Sequence, residues 1–374
     1  MGITRKPKLT RGQFIGLLAT AGITATAGYA LYNYAPWLLD DERARQSRRP
    51  AVKSDGGSSP LRELVRCATL AASGHNAQPW KFALREDAIE LHPDFTRRLP
   101  AVDPDNRELW ISLGCAVENL LVAARAAGFE AAVSYPEAAD VIRIRLIAGA
   151  PPGDALYAAI ARRQNTRSAF DGRPVNPADF DRMQAMPLEP GIGLRFVVTP
   201  GELTTVGEYV ARGNISQFAD RAFVTELIRW VRFNKREALA SLDGLHSRCM
   251  GTPEVPRWLG RRVLSNMKPE AQARADAAKL RSSSGVVVIT SADDDKIAWV
   301  RTGQVYERFA LTLTSQNLKL AFLNQPIEVA GIRGQFRSAL GLGRTLPQLI
   351  VRFGYADALP QSLRRAVDDV IFPA

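Results

Sequence analysis

Residues 73–82 read Ser-Gly-His-Asn-Ala-Gln-Pro-Trp-Lys-Phe. Small residues and amides come first, then Pro79, Trp80 and a β-prone run, the order expected where a helix ends in a turn and the chain re-enters a sheet. Pro79 pushes Gln78 out of the helical region and so fixes where the helix stops. Ser73 and Gly74 leave backbone N–H groups free, and Asn76 and Gln78 carry amides that donate and accept at once. Such a cluster suits a flat heterocycle with acceptors along its edge. It equally suits an ordinary polar turn beside a packed tryptophan, and composition leaves both readings open.

Working outward, residues 60–72 pattern as a short amphipathic helix with Leu61, Leu64, Val65 and Ala68 on one face. The runs 80–84 and 88–92 read as strands around an Arg85-Glu86-Asp87 hairpin. Residues 94–107 read as a loop, 108–127 as a helix stopped by Gly128, and 141–147, alternating Ile and Arg, as a strand. A similar order returns later: Glu118-Asn119-Leu120-Leu121-Val122-Ala123 aligns with Gln316-Asn317-Leu318-Lys319-Leu320-Ala321, and a strand is predicted at 348–355. Between predicted strands at 194–198 and 286–290 lies an insertion of about 85 residues. Within it, 223–233 reads as a helix, and 238–267, with Gly244, Pro253, Pro256 and Trp258, fits either a lid or an ordinary helical cap. Ser291, with Asp294 three residues later, reads as a helix start. Gly341-Leu342-Gly343 precedes a strand and lacks a third glycine, so it is no dinucleotide fingerprint.

A second polar cluster follows at 160–170, IARRQNTRSAF. Arg162, Arg163 and Arg167 lie within six residues at the end of a helix predicted over 155–163. Three guanidinium groups so close repel one another unless an anion or solvent separates them, and phosphate is the usual anion. A solvated basic helix end complementing the dipole gives the same pattern. Arg364 and Arg365, in PQSLRRAVDDVI at 360–371, form another basic pair.

The formal net charge is +11, but residues 1–50 hold eight basic side chains against three acidic ones, and the remainder is spread thinly. With no aromatic RNA-binding run and no zinc-finger spacing, a nucleic-acid partner is not expected. Cys67, Cys115 and Cys249 lie far apart, and His75, His92 and His246 show no ligand spacing, so neither a disulfide framework nor a metal site is expected. Arg5, Lys6, Lys8 and Arg11 precede 22 uncharged residues, 14–35, long enough to span a bilayer. Residues 1–39 are therefore expected to be a signal or membrane-anchor segment, with the globular part on the periplasmic side, followed by a flexible linker at 40–59. Thr10-Arg11-Gly12-Gln13-Phe14 resembles a twin-arginine export signal with Gly12 at the second arginine, and Ala25-Thr26-Ala27 offers a cleavage site. Tyr29, Tyr32, Tyr34 and Trp37 favour an uncleaved anchor over a removed peptide.

The string SGHNAQPW resembles the flavin-ring motif of the FMN-dependent nitroreductase family, P-S-x-x-N-x-Q-P-W, with Ala72 in place of its proline. The 160–170 string resembles the R-x-[ST]-x-R-x-F phosphate and ribityl motif that opens a subunit in that family. Arg163 and Arg167 take the basic positions, Asn165 the Ser/Thr position, and Phe170 falls one residue late. Arg364 matches the family's closing basic pair. Residues 60–372, including 94–128 and 346–370, are most similar to its Acg-like, fused two-lobe branch.

That resemblance implies an α+β, nitroreductase-like fold of two tandem half-domains, 60–150 and 151–374, each with a central sheet flanked by helices. A helical insertion falls at about 200–282, and the halves form an intramolecular pseudo-dimer that leaves the chain a monomer. It implies one competent FMN site and one vestigial site. Ser73, Gly74, Asn76 and Gln78 would face the ring, and Arg163, Asn165, Arg167 and Arg364 the phosphate and ribityl chain. The activity implied is hydride transfer from NAD(P)H through flavin to a small-molecule acceptor, with the chemistry carried by the cofactor and no side chain required as acid or base. A flavin-sequestering protein without turnover, and an anchored scaffold that has lost flavin, remain open alternatives.

Overall fold

The computed structural model describes residues 37–48, 60–136, 140–149, 151 and 153–372. The expected anchor at 14–35 and most of the linker lie outside the described residues. Helix α1 (Trp37–Gln46) and helix α2 (Pro60–Thr69) come first, the latter burying Leu64, Val65 and Ala68. The chain turns through residues 73–78 into β1 (Trp80–Leu84), which pairs antiparallel with β2 (Ala88–Pro93). Helix α3 (Arg107–Ala126) starts where the Asp103 carboxylate accepts the backbone N–H groups of Glu108 and Leu109 at 3.0 and 2.9 Å. Among the described residues, α3 is the one helix long and apolar enough to cross a membrane, but it is sheathed by protein and is a core helix. Strands β3 (Phe129–Ser134) and β4 (Ile142–Ala148) complete the first sheet. Ile142, Ile144 and Leu146 are buried while Arg143 and Arg145 face outward, the period-2 pattern of a half-buried strand.

The helix predicted over 155–163 is a single turn, α4 (Tyr157–Ile160). It stops because the chain is claimed by the second sheet: the Thr166 N–H donates to the Leu320 carbonyl at 2.8 Å. Then follow α5 (Pro177–Gln184) and β5 (Ile192–Val197). The insertion contains α6 (Pro200–Ala219), α7 (Arg221–Trp230), β6 (Val231–Arg232), α8 (Lys235–Ser241), β7 (Leu245–His246), α9 (Arg257–Ser265) and α10 (Pro269–Arg281). The chain returns through β8 (Gly285–Ser291), α11 (Lys296–Ser315), β9 (Lys319–Phe322), α12 (Gln325–Glu328), α13 (Ala330–Ala339) and β10 (Leu346–Gly354).

The two four-stranded sheets run β1-β2-β4-β3 and β5-β8-β10-β9, antiparallel throughout. In each, the spatial order is first, second, fourth, third, and a long helix connects the second strand to the third. The chain thus folds as two copies of one unit. The insertion sits in the second copy where the first has only the tight turn at residues 85–87. Helices α3 and α11 pack on each other between the sheets, and a Cβ placed on Gly114 would lie 1.9 Å from the Val300 carbonyl oxygen.

Two local expectations are corrected. The cap of α11 is Asp295, which accepts the Ala298 N–H at 2.8 Å, and Ser291 is the last residue of β8. The repeat signal at 118–123 and 316–321 is out of register: Gln316 already caps α11, Asn317 is left-handed at φ 60, and 319–322 is strand. The end of the chain returns to the first lobe, where Phe82 donates to the Val370 carbonyl at 2.7 Å and accepts from Phe372 at 3.0 Å.

Candidate functional site

The 73–78 turn is held in a demanding conformation, with His75, Asn76 and Gln78 at φ 50, 52 and 54. Left-handed backbone at non-glycine residues persists only where surroundings over-determine it. Here they do. The Asn76 amide donates to the carbonyls of Gly244 and Leu363 at 3.2 and 3.4 Å, and its Oδ1 accepts from Arg364 at 3.0 Å. Gln78, fully buried, donates to the Leu242 carbonyl at 2.9 Å and accepts the Arg365 N–H at 2.9 Å, while its own N–H reaches Ser73 Oγ at 3.1 Å. Pro79 keeps Gln78 out of the right-handed helical region as expected, but these hydrogen bonds hold it left-handed where a proline alone would favour extended backbone.

Arg364 donates to the carbonyls of Thr69, Leu70 and Ala71 and so closes the C-terminal end of α2. Arg163 donates to the Leu70 carbonyl at 2.8 Å and lies 2.7 Å from Glu307, an ion pair by distance whose N–H is not aimed along a hydrogen bond. Glu307 in turn accepts the Ala72 N–H at 3.2 Å. Asn76, Gln78, Arg163 and Arg364 thus spend their polar atoms on the loop and do not line the cavity beside it. The Gly74 N–H is not free either, since Ser112 Oγ accepts it at 3.2 Å.

That cavity, about 240 Å³, lies between the lobes under the insertion. Ala72, Ser73, Gly74 and His75 form one wall with Glu108, Ser112 and Cys115 of α3. Asn165 and Arg167 come from the segment between the lobes, and Asn324, Glu328 and Arg352 from the second lobe. The insertion adds Asn214, Gln217, Phe218, Phe223, Leu227 and Leu245, together with Asp276 and Lys279 of α10. Of the eight residues expected at the site, Ser73, Gly74, Asn165 and Arg167 meet here. Asn165 is oriented by Tyr306, whose hydroxyl donates to its Oδ1 at 2.8 Å and whose ring stacks on Phe322.

The cavity is electrostatically polarised. Arg167 makes no carboxylate ion pair among the described residues, its Nη1 lies 4.0 Å from Met250 Sδ, and burial depresses its pKa. Arg352, 1% exposed, donates to the carbonyls of Thr166 and Ser168 and lies 3.9 Å over Phe170, with its pKa lowered by burial to about 10. Lys279 is partly offset by Asp276 at 3.5 Å. Elsewhere on the wall Glu108 and Glu328 face each other. Burial, then the charge of Glu328, raises Glu108 well above the carboxylate range against the opposing pull of Arg107, 3.1 Å from its Oε1, and burial raises Glu328. Burial, with help from Arg167, lowers the His75 imidazole to about 4 and keeps it neutral.

FMN fits this donor set at its phosphate end, because two enclosed guanidinium groups without carboxylate partners are costly unless an anion joins them. Sequence reasoning missed Arg352, Lys279, Glu108 and His75. The available signal for Arg352 was a lone arginine inside Leu349-Ile350-Val351-Arg352-Phe353, a run otherwise fit for burial.

No protein-family model matches the chain. It is 27% identical over 321 residues to "Putative NAD(P)H nitroreductase Rv3131" of Mycobacterium tuberculosis, covering 83% of this chain and 90% of that protein. It is 26% identical over 335 residues to "Putative NAD(P)H nitroreductase acg" of the same organism, covering 83% and 94%. Among solved structures it is similar to an FMN- and NADPH-dependent nitroreductase, NfnB, from a Sphigopyxis strain, at 18% identity and TM-score 0.38 over 58% of this chain and 97% of that one. Over most of its length, on a fold of two tandem lobes, this chain is thus similar to proteins named as putative NAD(P)H nitroreductases, acg among them, in agreement with the resemblance to the Acg-like, fused two-lobe branch of the nitroreductase family.

Proposed function

We propose that the chain binds one FMN in the cavity between its lobes and acts as an NAD(P)H oxidoreductase on a small acceptor. The observation that carries this reading is the pair Arg167 and Arg352, enclosed at the cavity without a carboxylate partner among the described residues. In this reading they hold the phosphate with Lys279, while Asn165, fixed by Tyr306, meets the ribityl chain. The wall from Ser73 to His75 faces the ring, with Asn76, Gln78, Arg163 and Arg364 as its frame. Bound FMN would supply hydride acceptance and donation. The chain's own part is to bind, orient and exclude water, and to keep a proton on the Glu108–Glu328 pair at the cavity wall for an acceptor that gains hydride.

A specific observation also favours flavin sequestration: the insertion puts Phe218, Phe223 and Leu227 into the cavity wall, where a nicotinamide would need room. Anaerobic NADPH titration of the purified protein separates the readings. Yellow protein that bleaches supports turnover, yellow protein that stays oxidised supports sequestration, and colourless protein that takes up no added FMN overturns both. We propose further that the chain is a monomer by virtue of its fused lobes, anchored through 14–35 with the lobes outside; sodium carbonate extraction of membranes tests the anchor.

A further inference from the structure

Inside the insertion, three residues within nine positions make an arrangement that the flavin reading does not use. His246 Nε2 lies 2.8 Å from Glu254 Oε1, with both side chains about 4% and 3% exposed, and His246 Nδ1 lies 4.0 Å from Cys249 Sγ. A carboxylate that accepts the Nε2–H fixes the tautomer and leaves Nδ1 as the acceptor facing the thiol. The backbone supports this spacing: β7 ends at His246, and a 3₁₀ turn over Ser247–Met250, closed by left-handed Gly251 at φ 73, brings Cys249 back to the ring. Glu254 follows on the extended segment that bonds back through the Val255 N–H to the Phe233 carbonyl. Nucleophile, base and base-orienting acid within reach of one another are the signature of an activated thiol.

Two further features separate Cys249 from the other cysteines. Cys67 and Cys115 are buried, with burial raising the first thiol to about 11 and the second well beyond the ordinary range, whereas Cys249 is only half-buried. Arg48, Arg167 and Arg364, arriving from three separate parts of the chain, all lie within electrostatic reach of Cys249. A positive surrounding stabilises a thiolate and draws in anionic reagents.

We infer that Cys249 is a nucleophilic thiol, with His246 as its base and Glu254 as the residue that orients the base, whose partner is a small anionic disulfide. His246 Nδ1 takes the thiol proton. The Cys249 thiolate attacks one sulfur of the disulfide, forming the Cys249 mixed disulfide as the old S–S bond breaks, and the departing thiolate takes the proton from His246. Atoms and electrons balance with no other reactant: the disulfide is the oxidant and one of its halves leaves reduced. Since Met250, the next residue, touches Arg167, the modification adds negative charge beside the anion end of the cavity.

The test is the reaction rate of the folded full-length chain with dithiobis(nitrobenzoate), a dianionic disulfide, and dithiodipyridine, a neutral one, between about pH 6 and pH 8.5, with the labelled position read by peptide mass. An unassisted thiol of ordinary pKa near 8.5 slows roughly 75-fold from pH 8 to pH 6. The expected result is one labelled residue, Cys249, slowing less than about tenfold over that range. The dianionic reagent should lose rate in high salt while the neutral one does not. C249S should abolish the reaction, and E254Q should restore the steep pH profile. Labelling of Cys249 with the unassisted profile, or a profile unmoved in folded E254Q, overturns the inference. Should the variants not fold, the wild-type pH profile and its salt dependence still decide it.

Discussion

Gly114 and Gly303 occupy the same place in their helices, the eighth residue of Arg107–Ala126 and of Lys296–Ser315, and each admits a backbone carbonyl of the other helix, Val300 and Ile111 respectively, into the space its Cβ would take. A Cβ on Gly303 would stand 2.0 Å from the Ile111 carbonyl oxygen and 2.9 Å from Gly114 Cα. Glu118 and Glu307 are likewise both twelfth, and each meets an arginine, Arg308 and Arg163 respectively. At these two positions the internal symmetry keeps residue identity as well as helix position, while the arginines that the glutamates meet come from different places in the chain.

Because backbone blocks the added methyl at this crossing, G114A or G303A should cost at least about 3 kcal/mol, the upper range for overpacking. Thermal unfolding reads this directly. A variant that melts within a degree or two of the parent would show that the helices part freely.

Arg167 and Arg163, four residues apart, should respond in opposite ways to removal. R163A strands the buried Glu307 carboxylate and should destabilise the protein by about 3–5 kcal/mol. R167A removes a guanidinium with no ion-pair partner among the described residues, so the flavin-free protein should melt at or above the parent temperature. FMN affinity should nevertheless fall about tenfold to a hundredfold, as for the loss of one charged hydrogen bond. Flavin content and melting temperature measured on the same samples check both arms.

His75 is held neutral by burial with a pKa lowered to about 4. Its stabilisation is fully present above the unfolded value near 6.5 and is lost as pH falls toward 4, by up to roughly 3 kcal/mol. In H75Q that part of the acid slope should disappear. Urea midpoints at pH 7 and pH 4.5 give the comparison.

The carboxyl pair has the opposite sign. Glu108 and Glu328 are raised by burial, so their protonated forms belong to the folded state and their contribution, present below the unfolded value near 4.3, is lost as pH rises through the raised folded values. E108Q should flatten the decline in stability between acid and neutral pH. If the protein turns over, the same variant should lower kcat more than KM, because it removes the proton held at the cavity wall.

Strong periodicity made much of the architecture legible. The Ile-Arg alternation of β4, the apolar face of α3 and the hydrophobic runs of β5 and β8 each place their element within about two residues of the expected bounds. Strands β3 and β9 were not foreseen, since FEAAVS is rich in alanine and KLAF continues the apolar pattern of the helix before it. At the site, amides and arginines stood out by type, but type does not say which way a side chain turns. Asn76 and Gln78 bond carbonyls 164 or more residues away, and Arg364 reaches back across the whole molecule. Those partners are tertiary, and no local pattern encodes them.

The chain's last stretch finishes the lobe that was made first. Arg364 closes α2, and Val370 and Phe372 supply the outer hydrogen bonds of β1. A ribosome therefore releases the first lobe with an open sheet edge and an uncapped helix, and both stay so until residues 364–372 have been made. Order of synthesis and order of completion run against each other here: the amino-terminal lobe must wait, exposed, for residues 364–372, while the second lobe can assemble its own sheet beforehand.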